Sequence, residues 1–263
     1  MHRQFLIILV LLSCGVSAIV SGNTQHPVFP TYRWQYGERG QSLADRISPP
    51  DGYTRVSVSQ NSFARWLRFI PLKPDGSPVR LFNGKLKCNQ DVHAAVIDID
   101  VGTRDRQQCA DAVMRLRAEY LYSAGKAQSV CFRAASNKQL CYRDYHKVGF
   151  RRYLSNVFAF ANTASLYHML KPVSSRQALQ AGDVFIEPAQ KGAYGHAVMV
   201  MDVAENARGE RVFLLAQSYM PAQDIHLLKN PSEPRLGPWY RYHSNASLVT
   251  PEWRFESGSL RRF

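Results

Sequence analysis

Apolar and polar residues repeat along this chain with two different periods, and the period changes from helical to strand-like past the middle. Cys109, Ala112, Val113, Leu116 and Tyr120 recur three and four residues apart, which predicts one buried helix face. Asp105 is placed to cap this helix, with Gln108 three residues later completing an Asp-x-x-Gln box, so that Cys109 stands one turn inside its start. Asp111, Arg115 and Glu119 follow on the polar side as an i,i+4 ladder. Residues 62–70 predict a short helix ended by Pro71. Residues 153–170 predict a longer one, with Leu154, Val157, Phe158, Leu166, Met169 and Leu170 on its apolar face.

Strand patterns occupy other stretches. Residues 55–59 alternate, and residues 94–101 read as a strand that feeds through Gly102 into the Cys109 helix. Three further strands are predicted over 181–186, 196–203 and 211–218. Gly209 lies in the turn between the last two, which makes them antiparallel neighbours. Helices first and an antiparallel sheet afterwards predict an α+β fold. Residues 23–50 carry Pro, Gly, Arg and Gln without a period and read as an N-terminal arm or tether. Residues 51–263 then form a single α+β domain.

The first residues add an address. Met1-His-Arg-Gln is followed by an apolar run, residues 5–12, too short to span a bilayer, so residues 1–22 read as a secretory signal. Leu11-Leu-Ser-Cys14 has the form of a bacterial lipobox, in which Cys14 would be lipidated; the competing cut falls after Ala18. Either reading makes the protein exported, periplasmic or membrane-anchored. Net charge is +13, which for an exported protein points to an anionic membrane surface or acidic wall polymers. Nucleic acid is not expected, because the basic residues are scattered and no recognition motif accompanies them.

Export also permits disulfides. Cys131 and Cys141 flank the turn-like Ser136-Asn137-Lys138 and would face each other across a hairpin. Cys88 and Cys109 would remain. A bond between those two would remove Cys109 from any chemistry, and Cys109 on an apolar stripe also has a plain reading as a small buried hydrophobe.

The chemical reading starts from the helix position of Cys109. Unpaired N–H groups and the dipole at a helix N-terminus favour thiolate over thiol. Far downstream, His196 opens a strand directly after Gly195. A thiol at a helix start and an imidazole at a strand start resemble the layout of nucleophile and base in papain-like cysteine hydrolases. That resemblance implies a polar residue on the following strand to orient the imidazole, and Gln217 is the candidate, its neutral amide accepting from a ring N–H. Asp202 shares strand parity with His196, but six residues along a strand is roughly 20 Å, too far for contact. A donor near Gln108, with the Cys109 N–H, would hold an oxyanion. The other histidines show no metal spacing and no glycine-rich loop suggests a nucleotide, so no metal or cofactor is expected.

Two resemblances bear on these residues. The blocks QQCADAVMRLRAEYL, GDVFI, GHAVMVMDVA, LLAQSYMPAQDIHLLKNP, PWY and TPEW resemble a bacterial exported family of unassigned function, over roughly residues 50–255, whose members often carry lipoprotein signals. More distantly, Cys-Ala-Asp-Ala-Val-x-Arg, a Gly-Asp-hydrophobic strand and Gly-His-Ala-Val-x-Val resemble the NlpC-type and CHAP-type branch of papain-like cysteine peptidases and amidases. That resemblance implies a papain-like fold, with Cys109 as nucleophile, His196 as base and a polar residue on the next strand as its orienter. Gln is a departure from the His, Asn or Asp more usual there. It also implies a peptidoglycan-type amide substrate. The rival expectation is an envelope binding or scaffold protein on the same fold, with the aromatic, proline-rich stretch 219–253 forming its groove.

Overall fold

The computed structural model describes residues 30–35, 40–173, 179–190, 193–241 and 246–263; the expected signal and its Cys14 lie outside them. In chain order the helices are α1 (Leu43–Arg46), α2 (Phe63–Arg68), α3 (Cys109–Ser123), α4 (Tyr142–Tyr145), α5 (Phe150–Phe160) and α6 (Thr163–Met169). The strands are β1 (Tyr53–Arg55), β2 (His93–Val96), β3 (Cys131–Arg133), β4 (Gln139–Cys141), β5 (Lys171–Pro172), β6 (Val184–Glu187) and β7 (His196–Asn206). They continue with β8 (Arg211–Gln217), β9 (His226–Leu228), β10 (Tyr240–Arg241), β11 (Leu248–Val249), β12 (Arg254–Phe255) and β13 (Leu260–Arg262). This is an α+β fold. Its main sheet runs β2-β9-β8-β7-β6-β13-β5, with β1 also pairing with β7 and β10 with β8, and its pairings are antiparallel.

The strands β7 and β8 are nearly continuously apolar because both faces of the sheet are covered. Ala197, Met199 and Met201 of β7 share a core with Val113, Leu116 and Tyr120 of α3 on one face. Val198, Val200, Phe213 and Leu215 pack on the other face with Leu248 and Phe255 from the C-terminal segment. Each fully buried side chain of this size contributes about 1.5–3 kcal/mol, so these two layers carry much of the stability. Before β1, Tyr32 and Leu43 are buried in the α3-side core, and Tyr32 bonds the Trp66 carbonyl.

Several elements are shorter than their sequence patterns. The predicted strand over 94–101 stops at Val96, because the Ile97 N–H goes to Ile225 and the Asp98 N–H to Pro71. The single helix predicted over 153–170 is two helices. Asn162 caps α6, its side chain accepting from the Ser165 N–H at 2.9 Å while Ser165 Oγ accepts from the Asn162 N–H at 3.0 Å. The apolar period runs through this break because both helices face the same core. The β3–β4 hairpin forms as expected, with Cys131 opposite Cys141 and the disulfide between them. Asn137 takes the left-handed conformation in its turn, φ 70°. Closing so short a loop contributes on the order of 2–3 kcal/mol.

Candidate functional site

Helix α3 begins at Cys109 itself, with Gln108 rather than Asp105 as its N-cap. The Asp111 carboxylate accepts from the Gln108 N–H at 3.1 Å and supplies the reciprocal half of a box one turn later than the expected one. Asp105 instead accepts from the Ala222 N–H at 2.7 Å and from Gln108 Nε2 at 3.1 Å, tying the approach to α3 onto the segment after β8. Asp111, Arg115 and Glu119 are buried, not a solvated ladder. Arg115 bonds Glu119, the Asp100 carbonyl and Gln107 Oε1.

The Cys109 thiol rests against the start of β7. Its Sγ lies 4.0 Å from the Gly195 carbonyl oxygen, and the Ala197 N–H points at it. Before the bulge between Val200 and Asp202, the Val200 N–H and carbonyl are taken by Asp183 and Gly182 on the β6 side, so the odd-numbered backbone groups at the start of β7 point to the β8 edge. The pairing of β7 with β8 begins at Met199, and before it the Gly195 carbonyl and the Ala197 N–H meet the Cys109 thiol. Gly195 is required there by close approach: a Cβ would lie 2.6 Å from both the Ala189 nitrogen and the Glu187 oxygen. On its outer side Cys109 opens on a cleft of about 340 Å³ lined by Gln108, Asp111, Thr163, Tyr194 and Met220 among others. Cys88 is free and exposed and Cys109 is free and buried, so the two are not bonded to each other.

His196 follows Gly195 at the same strand start and does not line that cleft. Its ring is buried among Tyr219, Trp253 and Phe255, with centroids 5.0, 5.1 and 5.7 Å away. Among the described residues no hydrogen bond joins the ring to Cys109 Sγ, so the close thiol–imidazole contact expected of a tight pair is not made in this resting geometry. The ring does meet Gln217, His196 Nε2 lying 2.9 Å from Gln217 Oε1. The β-sheet register explains the meeting: Ala216 stands opposite Met199, which brings the next residue, Gln217, level with Val198, two residues along the same face from His196.

The tautomer of His196 follows from what surrounds Gln217. Gln217 Nε2 donates to Glu252 Oε2 at 2.7 Å and lies 3.4 Å from His226 Nε2. A carboxylate can only accept, so the amide NH₂ must point that way and Oε1 must point at His196. His226 Nδ1 donates to the Asp224 carbonyl at 2.9 Å, which leaves its Nε2 as an acceptor and closes the network. Lys87 Nζ completes it with an ion pair to Glu252 Oε1 at 2.5 Å. His196 therefore carries its proton on Nε2, and its Nδ1, which has no hydrogen-bond partner among the described residues, is an unprotonated base.

Burial dominates the protonation of both groups. It pushes the Cys109 thiol up to about 11, the Asp111 carboxylate adding to the effect, against the pull of the Ala110 and Ala197 N–H groups and Thr163. The thiolate expected from the helix N-terminus is thus overturned by desolvation. Burial likewise holds His196 down to about 4, the Gln217 bond opposing it, and His226 down to about 3. At neutral pH the site holds a neutral thiol and a neutral imidazole.

The other expected residues fall as follows. Gln108 lines the cleft, but its backbone N–H is engaged by Arg106 O and Asp111 and its side-chain amide by Asp105. The N–H of Cys109 stands at the first position of α3, while the backbone N–H groups that reach the thiol are those of Ala110 and Ala197. Asp202 is far along β7, buried between Arg55 and Arg68, and takes no part. Glu252, Lys87 and His226 were not singled out from sequence; only the aromatic stretch carrying Tyr219 and Trp253 was. Among the described residues no group of three or more His, Cys, Asp or Glu side chains is arranged to hold a metal ion, and no helix is long and apolar enough to cross a membrane.

No curated protein and no solved structure matches the chain. One family model does, over residues 43–149 and 143–262, which together take in α1 through β13 and every residue of the site. The chain belongs to the family described as domain of unknown function (4846).

Proposed function

We propose that the protein is a thiol amidohydrolase or peptidase of the bacterial envelope, acting on peptidoglycan-type amide bonds through a papain-like arrangement. Cys109 Sγ attacks the amide carbonyl as His196 Nδ1 takes its proton. The Cys109 N–H stabilises the oxyanion. The imidazolium returns the proton to the leaving amine, and water, deprotonated by the same Nδ1, hydrolyses the thioester to acid and free thiol. Because the resting thiol and ring are both neutral, proton transfer accompanies attack and no thiolate is stored beforehand. The observation that carries this reading is the Gln217–Glu252 arrangement, which holds His196 with Nδ1 unprotonated at the strand start where the thiol rests.

The test is digestion of purified peptidoglycan, read as product masses. Wild-type protein should release new amine termini, and Cys109→Ala should release none while keeping the melting temperature within a few degrees. A second reading, an envelope binding protein of the same fold without turnover, is favoured by the thiol held up at about 11 and by the absence of a hydrogen bond from it to His196. Binding of peptidoglycan fragments by wild type with no new termini over long incubation would select it.

The envelope assignment rests on residues 1–22 read as an export signal, with Cys14 lipidated, and on the net charge of +13. Three acyl chains on Cys14 would anchor the protein through a salt wash that screens charge. Retention of wild type and release of Cys14→Ala on fractionation is the expected result; salt release of wild type refutes the anchor.

A further inference from the structure

A second cavity, of about 220 Å³, adjoins the Cys109 cleft and shares Arg106 and Phe158 with it. Arg104, Arg106, Arg115 and Arg151 line it, and no carboxylate does. Arg115 and Arg151 are partly neutralised from behind by Asp100. Arg106 is held in place by Nη1, which donates to Ser155 O and Oγ at 3.0 Å each. Its Nε and Nη2 have no partner among the described residues, and neither does the guanidinium of the exposed Arg104. A second observation is independent of the charges. Gln107, also in the wall and 1 % exposed, has Oε1 fixed by Arg115 at 2.7 Å, while its buried Nε2 has no acceptor among the described residues. An unpaired buried donor is costly, and any acceptor that reached it, a carboxylate oxygen included, would satisfy it.

We infer that this cavity is a subsite for a carboxylate of the substrate, so that the amide cleaved at Cys109 belongs to a peptide carrying a free carboxylate close to that bond. The inference rests on the reading of Cys109 as nucleophile for what the neighbouring cleft does, although the subsite itself can be tested without turnover. Arg106 supplies a fixed fork, Arg104 an exposed one and Gln107 a neutral donor, a set suited to a planar oxyanion. A peptide carboxylate fits better than a free phosphate because the cavity adjoins the cleft across Arg106 and Phe158, so that one molecule can place both an anion and a scissile amide.

Calorimetric titration of Cys109→Ala protein, which cannot turn over, separates the two ideas. The probes are N-acetyl-trialanine with a free carboxylate, the same peptide ending in an amide, and inorganic phosphate. The acid should bind about tenfold or more tighter than the amide, as expected for a charged hydrogen-bond acceptor. Arg106→Gln and, separately, the exposed Arg104→Gln should each remove most of that preference with unchanged circular dichroism. Equal binding of acid and amide, no binding of either, or a preference that survives both substitutions overturns the inference. Phosphate binding more tightly than the acid also overturns it, in favour of a free-anion site. Loss of the hydrolytic reading alone would leave these affinities as they are.

Discussion

In its middle, β7 buries Asp202 at a bulge, bonded to Arg55 Nε at 2.7 Å and Arg68 Nε at 2.8 Å. At its start it buries His196, bonded to Gln217 at 2.9 Å and through it to Glu252 and Lys87. Both clusters are desolvated and both bring together residues far apart in sequence. The first joins full charges directly, and both carboxylate oxygens are used. The second keeps its charge pair two hydrogen bonds away from the imidazole, interposes a neutral amide, and leaves Nδ1 with no hydrogen bond among the described residues. A cluster that is closed in this way fixes β1, α2 and β7 together. One that is closed on every side but one fixes a tautomer and leaves a base.

Breaking the closed cluster should have the largest effect on stability. Asp202→Ala strands two buried or half-buried guanidinium groups and should cost about 3–5 kcal/mol in urea unfolding. The alkylation rate of Cys109 in the folded protein should hardly change. An equal loss of reactivity would mean that the two ends of β7 are not separable.

Acid should sharpen the difference. His196 and His226 titrate near 4 and 3 in the fold against about 6.5 in the unfolded chain, so below 6.5 the unfolded chain binds more protons. Stability is therefore full above about pH 6.5 and falls as the pH drops toward 4 and then 3, by up to about 1.4 kcal/mol per pH unit for each ring. Urea midpoints at pH 5 and 7.5 check this, and Asp202→Ala should keep the same acid slope. His226→Asn should make the slope shallower.

The smallest effect is the most specific. Glu252→Gln can donate as well as accept, so the Gln217 amide is no longer fixed and His196 can take the other tautomer. Acylation of Cys109 should fall about tenfold, the order expected when one charged hydrogen bond is lost, with Lys87 left unpaired beside it. Glu252→Asp should restore part of the rate. A rate indifferent to both substitutions would show that Glu252 is only a strut.

What was legible in the sequence is what repeats. The period of Cys109 to Tyr120 gives α3, the alternation after Gly195 gives β7, and the symmetric flanks of Asn137 give the bridged hairpin. The Asn162 cap and its Ser165 partner were readable too, but the apolar period on either side masked them. Glu252 and Lys87 lie 165 residues apart in stretches without period, and nothing local signals that they meet. The helix start suggested a thiolate because the dipole is a local property, whereas the burial that reverses it comes from the edge of β7, contributed by a segment 86 residues away.

The central claim is that Cys109 is acylated with His196 as its base. Intact-protein mass spectrometry after incubation at neutral pH with an activated ester such as p-nitrophenyl acetate, quenched in acid, reads it directly. One acetyl group should appear in wild type, map to Cys109 and be absent from Cys109→Ala. In His196→Ala it should form about 10²–10⁴ times more slowly, the range for loss of a general base. Acetylation of Cys109 at the same rate in His196→Ala, or none on Cys109 in wild type, would contradict the account.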